Sequence, residues 1–371
     1  MSHVLILGGD GYLGWPSAMY FSARGYEVTV VDNYFRRHVC NEINVGMLYP
    51  VPTLVERAKI WHEKTGHEIK VVIGDLTDPE LVRSLFTGKD LNYQWAINTK
   101  FTGTPETVVH YAEQPSAPYS LMNYKTANFT LSNNLLVTNN LIFAIKDLAP
   151  EVHIIKLGTM GEYGTPNIDI EEGYLEIEHK GRKDLLPFPM QPNSFYHLSK
   201  VHDSNNIRFA TKLWGLRTTD LNQGVVYGVS TPETELHPQL ATSFHYDEVF
   251  GTALNRFCTQ AVVGHPLTLY GLGKQTKAML NIVDTLQCVQ LAVENPAEVG
   301  FMRVFNQFTE SFTLTELAQT IKDEAEKMGY EPTIAYVDNP RTEDEDHYYN
   351  PVSTGLPELG LKPTLLAGDV L

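Results

Sequence analysis

Residues 3–16 read HVLILGGDGYLGWP, a short aliphatic run followed at once by closely spaced glycines. Gly8, Gly11 and Gly14 follow the pattern G-x-x-G-x-x-G, which lets a chain turn tightly from a strand into a helix and lets a pyrophosphate approach the N–H groups at the helix start. Alone this pattern is a weak signal. Between a strand and a helix it predicts the first βα unit of a dinucleotide-binding sheet.

Short β-branched runs alternate with longer amphipathic segments after this unit, as in repeated βαβ units. Near-continuous apolar strands are buried on both faces, so we predict a parallel sheet with helices on each side and ligands at the carboxyl ends of the strands. From about residue 230 the pattern loosens. The predicted fold is a doubly wound α/β Rossmann domain over residues 1–229 and a smaller C-terminal lobe over residues 230–371, with some segments interleaved. The predicted strands are HVLILGG, YEVTVVD, IKVVIGD, TVVHYAE, VHIIKLGT and LRTTDLNQGVVYG.

The composition argues against several classes of protein. The chain has 371 residues, of which 43% are hydrophobic and 19% charged, as is typical of a globular protein. A formal net charge of −16 argues against a nucleic-acid or membrane-surface binder, since both need a basic face. Three widely spaced cysteines predict neither a disulfide framework nor a metal site. We expect a cytoplasmic protein without a metal, a nucleic-acid partner or a membrane span.

A carboxylate at the end of the second predicted strand indicates which dinucleotide is bound. Asp32 lies eighteen residues after Gly14, where its side chain can accept hydrogen bonds from both ribose hydroxyls and would repel a 2′-phosphate. This position favours NAD over NADP, although Arg36 and Arg37 are able to hold a phosphate. Asp75, at the end of the third strand, is expected either to contact adenine or to cap a turn.

The segment SFYHLSKVHDS provides the groups for an oxidation. Tyr196 and Lys200 are four residues apart and share one face of a predicted helix. Thr159 ends the strand VHIIKLGT and reaches the same sheet edge. A hydroxyl, a phenol and a lysine beside a nicotinamide form a hydride-transfer site, in which Lys200 and the positive ring lower the pKa of Tyr196 from about 10 toward neutrality. A second Y-x-x-x-K match, Tyr270 to Lys274, lies in a glycine-rich loop and is not assigned this role.

These motifs carry a family resemblance. GGDGYLGW, VVDN, GTMGEYG, YHLSK and LNQGVVYGV resemble the extended short-chain dehydrogenases that act on nucleotide sugars, and the similarity to members that join sulfite to UDP-glucose extends over nearly the whole chain. The resemblance implies tightly held NAD, UDP-glucose and sulfite as substrates, and a homodimer paired through the helix that holds Tyr196. The cofactor contacts that it implies are Gly8, Asp10, Gly11, Tyr12, Leu13, Gly14, Asp32, Asn33, Arg36, Asp75, Leu76, Asn133, Tyr196, Lys200 and Val226.

The implied reaction replaces the C6 hydroxyl of glucose with sulfonate. Oxidation of C4 to a ketone makes the C5 proton acidic and turns the C6 hydroxyl into a β-leaving group. The resulting enone accepts sulfite at C6, and return of the hydride to C4 closes the cycle. This route needs an acid and a base beyond the Tyr/Lys pair.

Two residues are candidates for these further proton transfers. Related 4,6-dehydratases carry Thr-Asp-Glu where this chain has Thr159-Met160-Gly161, so the usual carboxylate pair is missing. Glu162 and His197 remain, and we do not assign between them the C5 proton and the C6 oxygen. The alternatives are a structural hydrogen bond for Glu162 and a helix-surface position for His197. Met160 is expected to shape the pocket, because a thioether is neither acid nor base.

The resemblance also implies a site for the nucleotide sugar, with Gln223 facing the sugar. Arg341 is the expected partner of the diphosphate, being a forked donor, and its alternative is a surface arginine beside the acidic run 343–346. The chain departs from the family at Pro115, which stands in place of an arginine and leaves sulfite recognition with one cation fewer. The other predicted substrate contacts are Thr159, Thr252, Asn255, Arg256, Thr268, Tyr270, Gln275 and Lys277.

Three alternative functions stay open. A UDP-glucose 4-epimerase needs only Thr159, Tyr196, Lys200 and NAD, and it leaves His197 without a role. A 4,6-dehydratase is disfavoured by the missing Asp-Glu pair. A redox-sensing or scaffold protein that binds NAD without turnover would have no use for an intact Thr/Tyr/Lys set.

Overall fold

The computed structural model describes residues 2–87, 96–97, 103–338 and 347–366 of the chain. Strands and helices alternate through its first half, as the hydrophobic periodicity predicts. The strands are β1 (His3–Leu7), β2 (Glu27–Asp32), β3 (Ile69–Ile73), β4 (Ala96–Ile97), β5 (Thr107–His110), β6 (His153–Thr159), β7 (Tyr174–His179), β8 (Arg182–Pro187), β9 (Arg217–Gln223), β10 (Val225–Tyr227), β11 (Leu267–Tyr270), β12 (Thr276–Asn281), β13 (Met302–Gln307), β14 (Glu310–Thr313) and β15 (Ile334–Val337). The helices are α1 (Gly14–Ala23), α2 (Phe35–Glu42), α3 (Leu54–Thr65), α4 (Pro79–Ser84), α5 (Ala117–Leu121), α6 (Tyr124–Leu148), α7 (Phe195–Trp214), α8 (Ala253–Val262), α9 (Ile282–Glu294), α10 (Leu314–Lys327) and α11 (Gly355–Glu358).

A large central sheet organises the molecule. Its strand order among the described residues is β13-β9-β6-β5-β1-β2-β3-β4, and every neighbouring pair is parallel apart from the antiparallel β3–β4 pair. Successive strands step outward on one side of β1 through β2 and β3, and on the other side through β5 and β6. The order therefore reverses at β1, and ligands bind at the carboxyl ends of strands beside such a switch point. The doubly wound fold predicted from the sequence is confirmed.

Buried side chains fill both faces of this sheet. On one face the core includes Trp15 and Phe21 of α1 with Val289 of α9. On the other face it includes Leu141 and Ile145 of α6. Each such side chain contributes about 1.5–3 kcal/mol when it is removed from water, so the sheet is a rigid base for the loops at its carboxyl edge.

A smaller lobe packs beside that edge. It contains the sheet β10-β12-β14, the pair β11-β15, and a core shared between α8 and α10. The chain then returns to the large sheet, because β13 pairs with β9 along its whole length. The domain bounds 1–229 and 230–371 stay a prediction.

One predicted strand is divided in the structure. LRTTDLNQGVVYG forms β9 in the large sheet and β10 in the smaller one, joined by the single residue Gly224. A Cβ atom on Gly224 would lie 2.6 Å from the carbonyl oxygen of Ala278, so the close approach of β12 requires a glycine there.

Helix α7 presents the predicted catalytic residues to the carboxyl edge of the sheet. The Ser194 hydroxyl caps its start by accepting from the N–H of His197, and Gly215, with φ of 68°, ends it in the left-handed region. Helix α7 packs along α6. None of the helices that the structure describes has both the length and the apolar character needed to cross a membrane.

Candidate active site

A cavity of about 350 Å³ lies at the switch point of the large sheet. Its wall is formed by the residues that follow β1, β2, β3 and β5, together with parts of the smaller lobe. Every cofactor contact expected from the sequence lies on this wall, with the exception of Lys200, which is buried beneath it. The expected cofactor residues thus come from the segments after β1, β2 and β3, together with α6, α7 and β10.

The glycine-rich loop at this cavity has a backbone that other residues could not adopt. Gly8 has φ of +90°, and a Cβ atom on Gly14 would collide with the carbonyl of Gly8. Helix α1 begins at Gly14, and the residue before it, Leu13, offers no side-chain acceptor to the first-turn N–H groups. Such a close turn with an uncapped helix start fits the pyrophosphate of a dinucleotide.

Two carboxylates, Asp32 and Asp75, line the first cavity near the carboxyl ends of β2 and β3. Asp32 accepts hydrogen bonds from the backbone N–H of Asp10 at 2.8 Å and of Tyr34 at 2.7 Å. Burial raises the pKa of Asp32 to about 6, and the neighbouring Asp10 adds to the shift. Asp75 caps a turn through the N–H of Thr77 at 2.8 Å, as one expectation for its position has it; it also lines the cavity, and its contact with adenine stays a prediction.

The arginines near Asp32 differ in what they bind. Arg37 donates to both oxygens of Asp10, at 2.6 and 2.8 Å, and Arg57 donates to Asp10 at 2.6 Å. Arg36 lines the cavity, with its guanidinium carbon 5.3 Å from the centre of the Phe250 ring. Since Arg37 is already engaged by Asp10 and the Asp32 carboxylate lies beside it, the arrangement favours NAD over a dinucleotide with a 2′-phosphate.

A second cavity of about 500 Å³ adjoins the first, and both walls include Gln223, Gly224 and Val225. The catalytic candidates are divided between the two cavities. Tyr196 lines the first, while Thr159, Met160 and His197 line the second. A sugar in the second cavity would therefore meet the nicotinamide end of a cofactor in the first at the residues that the cavities share.

Lys200 is held between two oxygen atoms below Tyr196. Its ammonium donates to the carbonyl of Leu157 at 2.6 Å, pairs with the carboxylate of Glu113 at 2.8 Å, and lies 5.9 Å from the centre of the Tyr196 ring. Burial raises the pKa of Tyr196; Lys200 opposes this shift and Glu113 adds to it. The sequence predicted that Lys200 and the nicotinamide ring would lower the pKa of Tyr196. Of these two, only Lys200 belongs to the protein, and burial outweighs its effect on the pKa. Sequence reasoning did not single out Glu113, although it closes the predicted strand TVVHYAE.

His197 faces the second cavity in a defined orientation. Its Nδ1 atom lies 2.8 Å from the amide oxygen of Asn193 and 3.0 Å from the Ser194 hydroxyl. Because an amide oxygen only accepts, Nδ1 carries the proton and Nε2 carries the lone pair in the neutral ring. Nε2 lies against Gly161, where a Cβ atom would overlap the imidazole. The related dehydratases have a glutamate at the position of Gly161. The His197 ring occupies the space that the absence of a side chain at Gly161 leaves.

Glu162 has a different environment. Its carboxylate is fully buried and accepts from Lys156 at 3.0 Å, from the Ser204 hydroxyl at 2.8 Å and from the N–H of Thr159 at 3.2 Å. Lys156 also pairs at 3.3 Å with Asp220, its neighbour across the β6–β9 ladder, so this ion cluster draws Glu162 beneath the sheet edge. Burial raises the pKa of Glu162. Glu162 belongs to neither cavity wall as the structure describes them, and its geometry favours the structural alternative over proton transfer to a substrate.

The Ser204 hydroxyl adds a constraint to this cluster. It lies 2.8 Å from Glu162 and 2.7 Å from Asp220, and it also accepts from the ammonium of Lys156 at 2.8 Å. A hydroxyl has one proton and cannot donate to both carboxylates at once. The hydroxyl therefore donates to one of the two carboxylates at a time, and Lys156 neutralises part of the negative charge of the cluster.

The predicted substrate contacts of the smaller lobe form a connected group. Arg256 donates to the Tyr270 hydroxyl at 3.2 Å and to the carbonyl of Thr268 at 3.0 Å. Gln275 is buried and donates to the carbonyl of Tyr270 at 3.5 Å. Tyr270 and Lys277 line the second cavity. The group therefore presents Tyr270 to the cavity, with Arg256 behind its ring.

Two other predicted substrate contacts lie elsewhere. Thr252 and Asn255 line the first cavity, not the second. The cause is the side chain of Asn255, which accepts a hydrogen bond from the N–H of Gly228 at 3.1 Å and so holds the start of α8 against the segment after β10. The carbonyl of Gly228 in turn accepts a hydrogen bond from the Tyr12 hydroxyl at the first cavity. Arg341 lies outside the residues that the structure describes.

Sequence comparison identifies relatives of this chain. Residues 4–306 match the model of the NAD dependent epimerase/dehydratase family. The chain is 51% identical over 368 residues to the chloroplastic UDP-sulfoquinovose synthase of Spinacia oleracea, covering 99% of this chain and 73% of that protein. It is 39% identical over 361 residues to the UDP-sulfoquinovose synthase of Sulfolobus acidocaldarius, covering 97% of this chain and 88% of that protein.

Structural comparison agrees on the fold. The UDP-glucose 4-epimerase of Thermotoga maritima with UDP-glucose superposes with a TM-score of 0.70 at 18% identity, covering 100% of this chain and 96% of that chain. The UDP-glucose 4-epimerase of Bifidobacterium longum in complex with NAD+ and UDP gives a TM-score of 0.71 at the same identity and coverage. At this identity the likeness shows the fold alone.

Proposed function

This chain belongs to the NAD dependent epimerase/dehydratase family, and we propose that it catalyses the UDP-sulfoquinovose synthase reaction, in which UDP-glucose and sulfite form UDP-sulfoquinovose. The proposal is supported by the identity to proteins of that name over nearly the full chain. The structural observation that carries it is the position of His197. Its imidazole lies on the wall of the second cavity in the space left by Gly161, where a 4-epimerase needs no acid or base.

NAD is the cofactor of this family. The turn at Gly8, Gly11 and Gly14 would hold its pyrophosphate, and Asp32 would hold its adenosine ribose. When bound, NAD supplies the chemistry of taking hydrogen from C4 of the sugar and later returning it.

Tyr196, Thr159 and Lys200 would act at the C4 oxygen. The Tyr196 phenolate takes the proton of the C4 hydroxyl as the alcohol becomes a ketone, and gives it back when the alcohol is restored. Lys200 stabilises that phenolate by its charge, since the ammonium lies 5.9 Å from the Tyr196 ring centre. The Thr159 hydroxyl, at the end of β6, lines the second cavity and would orient the C4 oxygen.

His197 would carry the proton between C5 and C6. With its lone pair on Nε2 it removes the C5 proton, which the C4 ketone has made acidic, and the resulting imidazolium protonates the C6 oxygen as water leaves. Sulfite then forms the carbon–sulfur bond at C6, and the proton of hydrogen sulfite passes through His197 to C5. The C5–H and C6–O bonds broken in the first step are thus replaced by C6–S and a new C5–H, with no net oxidation of the sugar.

Binding of UDP-glucose is proposed at Gln223, Tyr270 and Lys277, which line the second cavity. Sulfite is proposed to enter the same cavity, where Lys277 supplies positive charge. Pro115 lines the first cavity and offers no charge there.

We propose a homodimer formed through α6 and α7. These helices pack side by side and carry large apolar side chains that stay exposed, among them Leu136 and Phe143 of α6 and Phe209 and Leu213 of α7, with Phe209 67% exposed. Burying such a face against a second copy removes it from water, and the same face on both copies suits a two-fold axis. Light scattering at micromolar concentration should give twice the chain mass, and a monomeric mass would contradict the dimer.

A cytoplasmic location is also proposed. It is supported by the three cysteines, which are unpaired in the structure. The relative from Spinacia oleracea is named as chloroplastic, so the location of the relatives is not uniform.

One incubation tests the proposed reaction. The protein is mixed with UDP-glucose, NAD and sulfite, and the mass of the nucleotide sugar is measured with and without sulfite. A sulfite-dependent product in which sulfonate replaces hydroxyl would support the synthase. Unchanged mass with formation of UDP-galactose would show an epimerase, and His197 would then have no role in proton transfer.

A further inference from the structure

Glu113 is a buried carboxylate that the proposed reaction does not use. Its side chain is 1% exposed and lies directly after β5, at the wall of the first cavity. One oxygen is 2.8 Å from the ammonium of Lys200. The other oxygen is 4.0 Å from the His110 ring and has no hydrogen-bond partner among the described residues. A carboxylate that is so buried and so little hydrogen-bonded is costly, which indicates that its charge has a purpose.

The backbone beside Glu113 is fixed in place. The N–H of Gln114 donates to the side chain of Asn134 at 2.8 Å, and the amide of Asn134 donates back to the carbonyl of Gln114 at 3.2 Å. The Gln114 side chain donates in turn to Thr130 at 2.8 Å. These bonds anchor the segment on α6 and so fix the backbone position from which Glu113 reaches Lys200.

The other titratable groups near Lys200 and Glu113 do not balance the charge of Lys200, so Glu113 is its counter-charge. Burial, with the charge of Lys200, lowers the pKa of His110 to about 3, so this ring is neutral. Asp203, one turn after Lys200 on α7, has its pKa raised well above the usual range by burial and by Glu113, which favours its neutral form. Lys156 is already surrounded by Glu162, Asp220 and Ser204.

The charge of Lys200 matters for the cofactor because the oxidised nicotinamide ring is positive and the reduced ring is neutral. The ring must lie near Tyr196 for the sugar to react there, and therefore near Lys200. An uncompensated ammonium at that point would favour the neutral, reduced nucleotide. An enzyme that reuses its cofactor would then accumulate the reduced form.

We propose that Glu113 is a positioning residue that sets the redox balance of the bound nucleotide: its carboxylate holds Lys200 in place and offsets part of its charge, so that NAD competes with NADH for the site. This inference rests on the proposed function only in requiring that the nucleotide is bound.

The test measures nucleotide preference without any sugar. Each protein is incubated with equimolar NAD and NADH, desalted, and the ratio of the two retained nucleotides is determined. Replacing Glu113 by Gln should raise the retained NADH:NAD ratio by about tenfold, because Lys200 is left uncompensated. Tenfold corresponds to about 30 mV in the potential of the bound two-electron couple. Glu113→Asp, which keeps the charge, should retain the ratio of the unmodified protein.

Two further variants guard against a merely structural effect. Lys200→Met leaves the carboxylate uncompensated and should shift the ratio in the opposite direction, toward NAD. Glu162→Gln is the matched control, since it also alters a buried acid beside a lysine but lies outside the wall of the first cavity, and it should leave the ratio unchanged.

The outcomes separate the two proposals. Retention of neither nucleotide by the unmodified protein would contradict the proposed function. If both nucleotides are retained and the Gln, Asp and Met variants all share one ratio, Glu113 has no effect on the redox balance and the inference is overturned. A shift of equal sign in the Gln and Met variants would also overturn it, because charge compensation requires opposite signs.

Discussion

The imidazole of His197 and a side chain at position 161 exclude each other. A Cβ atom on Gly161 would overlap the Nε2, Cδ2 and Cε1 atoms of the ring, so the imidazole of His197 can occupy its observed position only with a glycine at 161. The pair thus belongs together: the glycine provides the space, and the histidine fills it with a group able to exchange a proton.

Replacing Gly161 by Ala should therefore separate the two halves of the reaction. The methyl group displaces His197 while leaving Tyr196 and the first cavity intact, so sulfonation should fall by about 100-fold, as expected for a catalytic group moved by about 1 Å. Oxidation of the sugar, followed as absorbance of reduced cofactor after addition of UDP-glucose, should persist. Gly46→Ala is the control, because a Cβ atom at Gly46 meets nothing within 4 Å.

Replacing His197 by Asn should remove proton exchange at C5. General acid–base catalysis contributes about 10²–10⁴-fold, and a loss in that range is expected for both sulfonation and the incorporation of solvent deuterium at C5. His202→Asn is the matched control, since His202 lies on the same helix and is exposed. Deuterium incorporation at the original rate in the His197 variant would assign the C5 proton to another group.

The preference for NAD over NADP should depend on pH through Asp32. Burial raises the pKa of this carboxyl to about 6, so it becomes neutral as the pH falls through that value, and its repulsion of a 2′-phosphate is then lost. The ratio of NADP to NAD affinity should rise on acidification and level off below the pKa. Asp32→Asn should show the higher ratio at every pH, and an Asn variant that keeps the same pH dependence would show that another group is responsible.

Lys156 should be important for stability. Replacing it by Met leaves Glu162 and Asp220 buried without a cation, which is expected to lower the free energy of unfolding by about 3–5 kcal/mol. The pKa of Glu162 is raised in the folded protein, so its contribution to stability is present at low pH and is lost as the pH rises through the folded value. The loss on replacing Lys156 should therefore be larger at neutral than at acidic pH.

Chemical denaturation at several pH values measures this effect. Lys59→Met is the control, because the Lys59 side chain is 78% exposed and its pair with Glu63 spans 3.9 Å. An exposed pair of this kind contributes about 0–1 kcal/mol. A variant of Lys156 as stable as that of Lys59 would show that the buried cluster adjusts its protonation without cost.

Some features of this molecule were predictable because they depend on local pattern. The apolar runs around Leu5 and Val30 fix the central strands, and the spacing of Tyr196 and Lys200 places both on one face of α7. Gly8 and Asp32 predicted where the first cavity would form, because consecutive parallel strands end at the same edge.

Other features depend on contacts between distant segments. Lys156 occurs in the apolar strand HIIKLGT, and nothing in that run indicates that Asp220, on a strand 64 residues later, lies beside it. The role proposed for Glu113 depends in the same way on Lys200, which helix α7 supplies. The structural position of Glu162 follows from this pairing and could not be distinguished from a catalytic one by sequence alone.

Gly224 joins β9 of the large sheet directly to β10 of the smaller one and lies on the walls of both cavities. With no intervening loop to absorb displacement, a rotation of the smaller lobe about this residue alters the shape of both cavities together. A sugar nucleotide in the second cavity that draws the smaller lobe inward would in the same movement narrow the first cavity around the dinucleotide. Binding in one cavity should therefore slow the dissociation of the ligand in the other.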